Sequence, residues 1–157
     1  RNTLRRKLFH YLKKEGITVL YATHDAQDVL PFADQVMVLQ DGEILDFRET
    51  RALFEQPERF YTATLLGEAN LIPIEILKSY ASTTRKIIVY PHELKMSSKS
   101  GLQVRVQESF YMGGFYRVRA STNAGIDVYF NADSPPEPGS EVFLNASLET
   151  INKRLPI

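Results

Sequence analysis

The 157-residue sequence contains no cysteine and no tryptophan. Without cysteine, disulfide scaffolds, thiolate zinc sites and thiol catalysis are all excluded. Charge of one sign is missing as well. Nineteen Lys and Arg residues balance nineteen Asp and Glu residues, so no global field draws the chain to nucleic acid or to an anionic membrane. Long hydrophobic runs are absent too: the apolar stretches are a few residues each, far short of the ~20 needed to span a bilayer. Residues 1–12 are basic but lack the apolar segment of a signal peptide. The expected class is a soluble, cytoplasmic protein. What is present is ordinary globular material, 43% hydrophobic and 24% charged, enough for one good core or two small ones.

Punctuation divides the chain. Residues 1–67 hold three of the eight glycines and two of the eight prolines, and residues 68–157 hold the rest. Charges are spread evenly over both parts, so the boundary is architectural. Two domains are expected, over 1–67 and 68–157, with an α/β pattern followed by an all-β one.

In the first part, Leu4, Leu8, Tyr11 and Leu12 share one face of a helix. Gly16 is placed to end that helix in a left-handed conformation. The nearly unbroken apolar run Ile17–Ala22 reads as a strand buried on both faces of a parallel sheet. Thr23-His24-Asp25 closes the strand, and Asp25 stands where it can cap a short helix over 26–33, which Pro31 shortens. Val36–Leu39 and Glu43–Phe47 flank Asp41-Gly42, a hairpin turn signal. Two short helices are expected over 49–55 and 58–66, separated by Pro57.

In the second part, β-branched and aromatic runs occur at 71–77, 86–90, 102–111, 115–120, 126–130 and 141–145. Turn signals lie between them at Gly113-Gly114, at Asn123-Ala124-Gly125 and across Pro135–Gly139. This pattern points to a small barrel or sandwich.

An apolar strand that delivers a histidine to its carboxyl end places it on the edge where open α/β sheets bind ligands. Thr23-His24-Asp25, then Ala33-Asp34, then Asp41-Gly42-Glu43-Ile44 follow in order, with Pro57, Phe60, Ala63, Gly67 and Asn70 behind them. This ordered series resembles the end of the ATP-binding subunit of ABC transporters of the importer type. The resemblance implies that His24 is the switch-loop histidine, donating a hydrogen bond to the γ-phosphate of ATP. An imidazole suits this task because it can serve as donor. His10, on a helix, and His92, after Pro91, read instead as surface or packing residues.

Phosphoryl transfer in P-loop ATPases needs a glycine-rich loop with Lys and Ser or Thr, and an acidic strand end for Mg²⁺. No G-x-x-x-x-G-K-[ST] segment occurs in this sequence, no Leu-Ser-Gly-Gly-Gln-like signature, and no acidic residue closing a hydrophobic strand ahead of residue 17. Met112-Gly113-Gly114-Phe115 reads as a turn between strands. The resemblance therefore implies a C-terminal fragment: the parent protein is an ATPase using ATP and Mg²⁺, and the fragment alone is inactive and expected to bind no cofactor or metal.

The second part resembles the OB-like TOBE barrel appended to importer ATPases of the polyamine, iron(III) and sulfate types. Tyr90-Pro91-His92-Glu93 stands where that family has Arg-Pro-Glu, so the role of the arginine does not carry over. Pro138-Gly139-Ser140-Glu141-Val142 resembles a second segment of the barrel. The partners implied are membrane permease subunits and a second copy of the ATPase subunit, at the inner face of the cell membrane. Because strand 17–22 expects neighbours on both sides, the fragment is also expected to self-associate.

Two other readings concern the barrel. One is a self-standing TOBE-type module that binds a small anion on Arg117 and Arg119. The other is an OB-type nucleic-acid domain that stacks bases on Phe110, Tyr111, Phe115, Tyr116, Tyr129 and Phe130. Only Arg105, Arg117 and Arg119 lie near those aromatics, short of the basic stripe a nucleic-acid groove needs, so no nucleic-acid partner is expected.

Overall fold

The computed structural model describes residues 2–78 and 85–155, apart from the side chains of Asn2 and Gln27. The chain divides into two compact units, Arg1–Glu55 and Gln56–Ile157. This packing division lies upstream of the sequence boundary at 67/68, and helix Phe60–Leu66 goes with the second unit.

The first unit opens with helix α1, Asn2–Lys14. Gly16 ends it as expected, with φ of 69°. The Gly16 amide donates to the Lys13 carbonyl and the Ile17 amide to the Leu12 carbonyl, at 3.1 and 2.9 Å, a Schellman pair that satisfies the last turn. A four-residue helix α2, Ala26–Val29, follows, shortened ahead of Pro31. Strands β1, Gln35–Gln40, and β2, Glu43–Glu49, form the expected hairpin around Asp41 and Gly42, both with positive φ. Helix α3, Thr50–Glu55, closes the unit. Its first residue is anchored by the Thr50 hydroxyl, which donates to the Ala33 carbonyl at 2.6 Å.

Two expectations for this unit are corrected. Residues 17–22 form no strand, and their apolar side chains are exposed, Leu20 at 95%. A strand buried on both faces requires hydrogen-bonding neighbours, and the β1–β2 hairpin pairs only with itself. Every strand pairing among the described residues is antiparallel, so the α/β parallel sheet is not present there. The inward face of α1 also differs. Leu4, Leu8 and Tyr11 are exposed, whereas Arg5, Phe9 and Leu12 are half-buried. The ring of Phe9 meets Tyr21 edge-on at 6.0 Å and stacks on Phe32 at 5.2 Å. The neighbours that this unit supplies select that adjoining stripe.

The second unit begins with α4, Phe60–Leu66, and a two-stranded sheet of β3, Asn70–Pro73, and β4, Lys86–Val89. The expected strand over 71–77 stops at Pro73, and Ile74–Leu77 turns into the short helix α5, which buries Ile74 and Leu77. After a 3-10 turn at Pro91–Glu93 comes a five-stranded antiparallel sheet in the order β5-β9-β6-β7-β8. Its strands are β5, Lys95–Ser97; β6, Leu102–Tyr111; β7, Tyr116–Ser121; β8, Asp127–Ala132; and β9, Glu141–Asn145. Helix α6, Leu148–Arg154, ends the unit, capped by the Ser147 hydroxyl, which accepts from the Thr150 amide at 3.0 Å. Strand β5 and helix α6 had no counterpart in the sequence reading.

Period-two alternation builds the core of this unit. In β6, Leu102, Val104 and Val106 face inward, and in β7 Val118 and Ala120 do, joined by Ile87, Val89, Phe130 and Leu144. Both sheets and α6 contribute to this one cluster. Gly101 marks its tightest point. Its φ is 127°, and a Cβ there would lie 2.2 Å from the Leu144 carbonyl oxygen, so only glycine fits.

Candidate functional site

Each candidate lies within a single unit. His24 sits in the loop between the apolar run 17–22 and α2, and its side chain is exposed. The loop is a side-chain-supported turn: the Thr23 hydroxyl oxygen accepts from the Asp25 amide two residues on, at 3.1 Å. The Asp25 carbonyl then accepts from the Asp28 amide at 3.0 Å and starts α2. His24 thus stands exposed at the crown of the turn, between the two residues that this bond joins.

Behind the crown stands Asp28, whose side chain is 15% exposed. One carboxylate oxygen pairs with the Arg5 guanidinium from α1. The other accepts from the Tyr21 hydroxyl at 3.2 Å and, in a longer contact of 3.4 Å, from the Thr23 hydroxyl. Neither Arg5 nor Asp28 was singled out by the sequence reading. The available signal was the spacing of Arg5 and Phe9, i and i+4 on one helix, which puts both on the same face.

His24 is exposed and carries an imidazole that can serve as a hydrogen-bond donor. The sequence has no phosphate-cradling glycine loop, and no group of three or more His, Asp or Glu among the described residues is placed to hold a metal ion.

In the second unit, the arginines proposed for anion or base contacts are already engaged. Arg117 pairs with Glu68, donates to Asn131 Oδ1 at 2.8 Å and lies over the Phe115 ring at 5.8 Å. Burial lowers its pKa below the ordinary arginine value. Arg119 pairs with Glu108 at 3.1 Å and Asp127 at 3.7 Å, and Arg105 with Glu141 at 2.8 Å. With a carboxylate beside each guanidinium, an incoming anion would have to displace a resident one. Of the aromatics, Phe130 is fully buried in the core, and only Phe110 and Tyr111 are exposed large apolar side chains. The hollow lined by Thr64, Gly67, Glu68, Ala69 and Tyr129 holds about 250 Å³, below the usual size of a small-molecule pocket.

Tyr90, which stands where an arginine was expected, is buried. Arg154 of α6 supplies a guanidinium over its ring at 5.4 Å and holds Glu93 at 2.7 Å, while Glu93 accepts from the Tyr90 amide at 2.8 Å. His92 stacks on Tyr90 at 5.8 Å, a packing role, and His10 is exposed on α1. Asn70 is buried and bridges the two sheets. Its amide nitrogen donates to the Val89 and Tyr129 carbonyls at 3.1 and 2.8 Å, and its oxygen accepts from the Tyr129 amide at 2.7 Å.

No protein-family model matches the chain. Against curated proteins it is 27% identical over 179 residues to the Fe(3+) ions import ATP-binding protein FbpC of Rhizobium etli, covering 97% of this chain and 51% of that protein. The chain is thus similar to a protein named for ATP binding in iron(III) import. The protein of the same name from Agrobacterium fabrum is 26% identical over 147 residues, covering 80% of this chain and 42% of its own length. The chain thus spans about half the length of the curated relatives it matches. The match runs through both units, so the histidine turn and the antiparallel sheets belong to one related stretch.

Proposed function

We propose that this chain is the C-terminal part of an ATP-hydrolysing subunit of a bacterial ABC importer, and that His24 senses the γ-phosphate of bound ATP. The observation that carries this reading is the presentation of His24. It stands exposed at the crown of a turn held by its neighbours, in a chain related to import ATP-binding proteins over 97% of its length. The imidazole donates to the terminal phosphate, so loss of that phosphate on hydrolysis removes the partner and releases the turn. The phosphate cradle, the signature segment and the Mg²⁺ ligands lie elsewhere in the complete subunit.

In this reading residues 1–67 complete the P-loop ATPase fold, and residues 68–157 form the OB-like TOBE barrel that regulates it. The complete subunit pairs with a second copy and with permease subunits at the cytoplasmic face of the membrane. Among the described residues no helix is long and apolar enough to cross a membrane. The two relatives are named for iron(III) import, which makes iron(III) the first cargo to test. The chain alone self-associates, because the backbone of residues 17–22 pairs with no strand and their apolar side chains are exposed.

The test uses the complete subunit reconstituted with its permease. His24→Ala abolishes hydrolysis while ATP still binds; unchanged turnover would refute the assignment. On the 157-residue chain alone, calorimetry finds no submillimolar ATP binding. Binding at that level would show that a nucleotide site is present here.

A further inference from the structure

Asp28 of the first unit holds an ion pair and two hydroxyl contacts, and the proposed function leaves it without a task. Its two carboxylate oxygens gather groups from three stretches of chain: Arg5 from α1, Tyr21 from the apolar run, and Thr23 from the His24 turn. Those two hydroxyls flank His24 on its N-terminal side. The Thr23 contact has a directional consequence. A hydroxyl whose hydrogen points at Asp28 must turn a lone pair elsewhere, and here that lone pair receives the Asp25 amide. The carboxylate thereby selects the hydroxyl orientation that closes the turn around His24.

The same carboxylate ties the turn to α1. Arg5 and Phe9 lie one helical turn apart; Arg5 takes Asp28, and Phe9 packs on Tyr21, whose hydroxyl also reaches Asp28. Tyr21 is held at both ends, by its ring and by its hydroxyl. A half-buried carboxylate with charge-assisted and neutral donors around it is a stronger fixing point than an exposed ion pair. The pairing of Lys13 with Asp34, also between α1 and the following segment, is exposed and unsupported by further donors.

We propose that Asp28 is a positioning residue. It holds the His24 turn in its presenting conformation and couples that turn to α1 through Arg5. This inference rests on reading His24 as the phosphate sensor. A displacement of the turn reaches α1 through the carboxylate, and a shift of α1 reaches His24 by the same route.

Two measurements test it. In the 157-residue chain, backbone ¹⁵N relaxation reports the order of residues 23–25. Asp28→Ala and Arg5→Gln are expected to lower their order parameters from the rigid range, about 0.85, toward the flexible range, below about 0.6. The β1–β2 hairpin keeps its order, and Asp28→Glu restores the turn. Unchanged order in both variants overturns the inference, and so does loss of order throughout 2–55, which would make Asp28 a folding residue only. In the complete subunit with its permease, Asp28→Ala is expected to lower kcat by roughly 10- to 100-fold with KM for ATP unchanged. If His24→Ala stops hydrolysis while Asp28→Ala leaves both kcat and turn order intact, the Asp28 inference fails and the sensor reading stands. If His24→Ala leaves hydrolysis intact, the sensor reading fails, whatever Asp28 does to the turn.

Discussion

The two units use hydrophobic residues in opposite ways. In the first, Val38 and Leu53 are the buried apolar side chains among the described residues, while Leu4, Leu8, Ile17, Leu20, Ile44 and Phe47 are exposed. In the second, two sheets and a helix close over one continuous cluster. Apolar content alone does not make a core: burial needs a facing element, and the first unit has one hairpin and three helices whose apolar faces are largely left open. Around the His24 turn of the first unit stand polar contacts instead, an ion pair and three hydrogen bonds around Asp28 and Thr23. The second unit depends on packing, with Asn70 adding a hydrogen-bonded bridge between its two sheets.

The sharpest break of this contrast comes from truncating matched residues. Phe130→Ala, in the closed core, is expected to cost about 3–5 kcal/mol. Leu8→Ala, exposed on α1, stays within about 0.5 kcal/mol. Urea unfolding of each variant measures both, and comparable losses would show that the first unit has a core after all. Next in size is Asn70→Leu, which leaves the Tyr129 amide and two carbonyls without their partner at the junction of the two sheets. A loss of about 2–3 kcal/mol is expected, read from the shift of the urea midpoint.

A pH effect sharpens the comparison from the packed side. Burial pushes the Tyr90 hydroxyl up to about 12 from its ordinary value of 10, the nearby Arg154 offsetting part of the rise. The folded state therefore favours the protonated phenol. The stability this contributes is full below pH 10 and is lost as pH climbs from 10 through about 12, where the unfolded chain deprotonates first. Thermal melts of the native chain and Tyr90→Phe, taken at pH 8 and 11, should show a smaller alkaline decline in the variant. The smallest effect on stability is expected at the open side: Leu20→Ser shifts the unfolding midpoint within error, yet light scattering at high concentration shows less self-association. A native chain that stays monomeric there would remove the self-association proposal.

Much of this was legible in the residues, and for identifiable reasons. Asp41-Gly42, Gly16 and Gly113 marked their turns because few other residues take positive φ there. The alternation in 102–106 and 116–120 marked strands and their inward faces. The run 17–22 misled because its composition describes a strand with neighbours, and neighbours are not a property of the run itself. The apolar stripe Leu4, Leu8, Tyr11 misled in the same way. Residues 74–77 carried β-branched signals yet became helical, where turning after Pro73 buries Ile74 and Leu77. The candidate site divides likewise. His24 and Asn70 were found from their places in an ordered motif, whereas the pairings of Arg5 with Asp28 and of Arg154 with Glu93 were not, because each joins residues far apart in sequence.

By itself, then, the sequence determined the local grammar: turns at glycines, alternating strands in the second part, a histidine in a turn after an apolar run, and the likeness to import ATP-binding proteins. Tertiary structure alone decided which apolar faces were covered, which arginines were already neutralised, and which carboxylate stands behind His24. Local conformation depends on the dihedral preferences of a few adjacent residues, while burial and ion pairing depend on what the fold brings alongside.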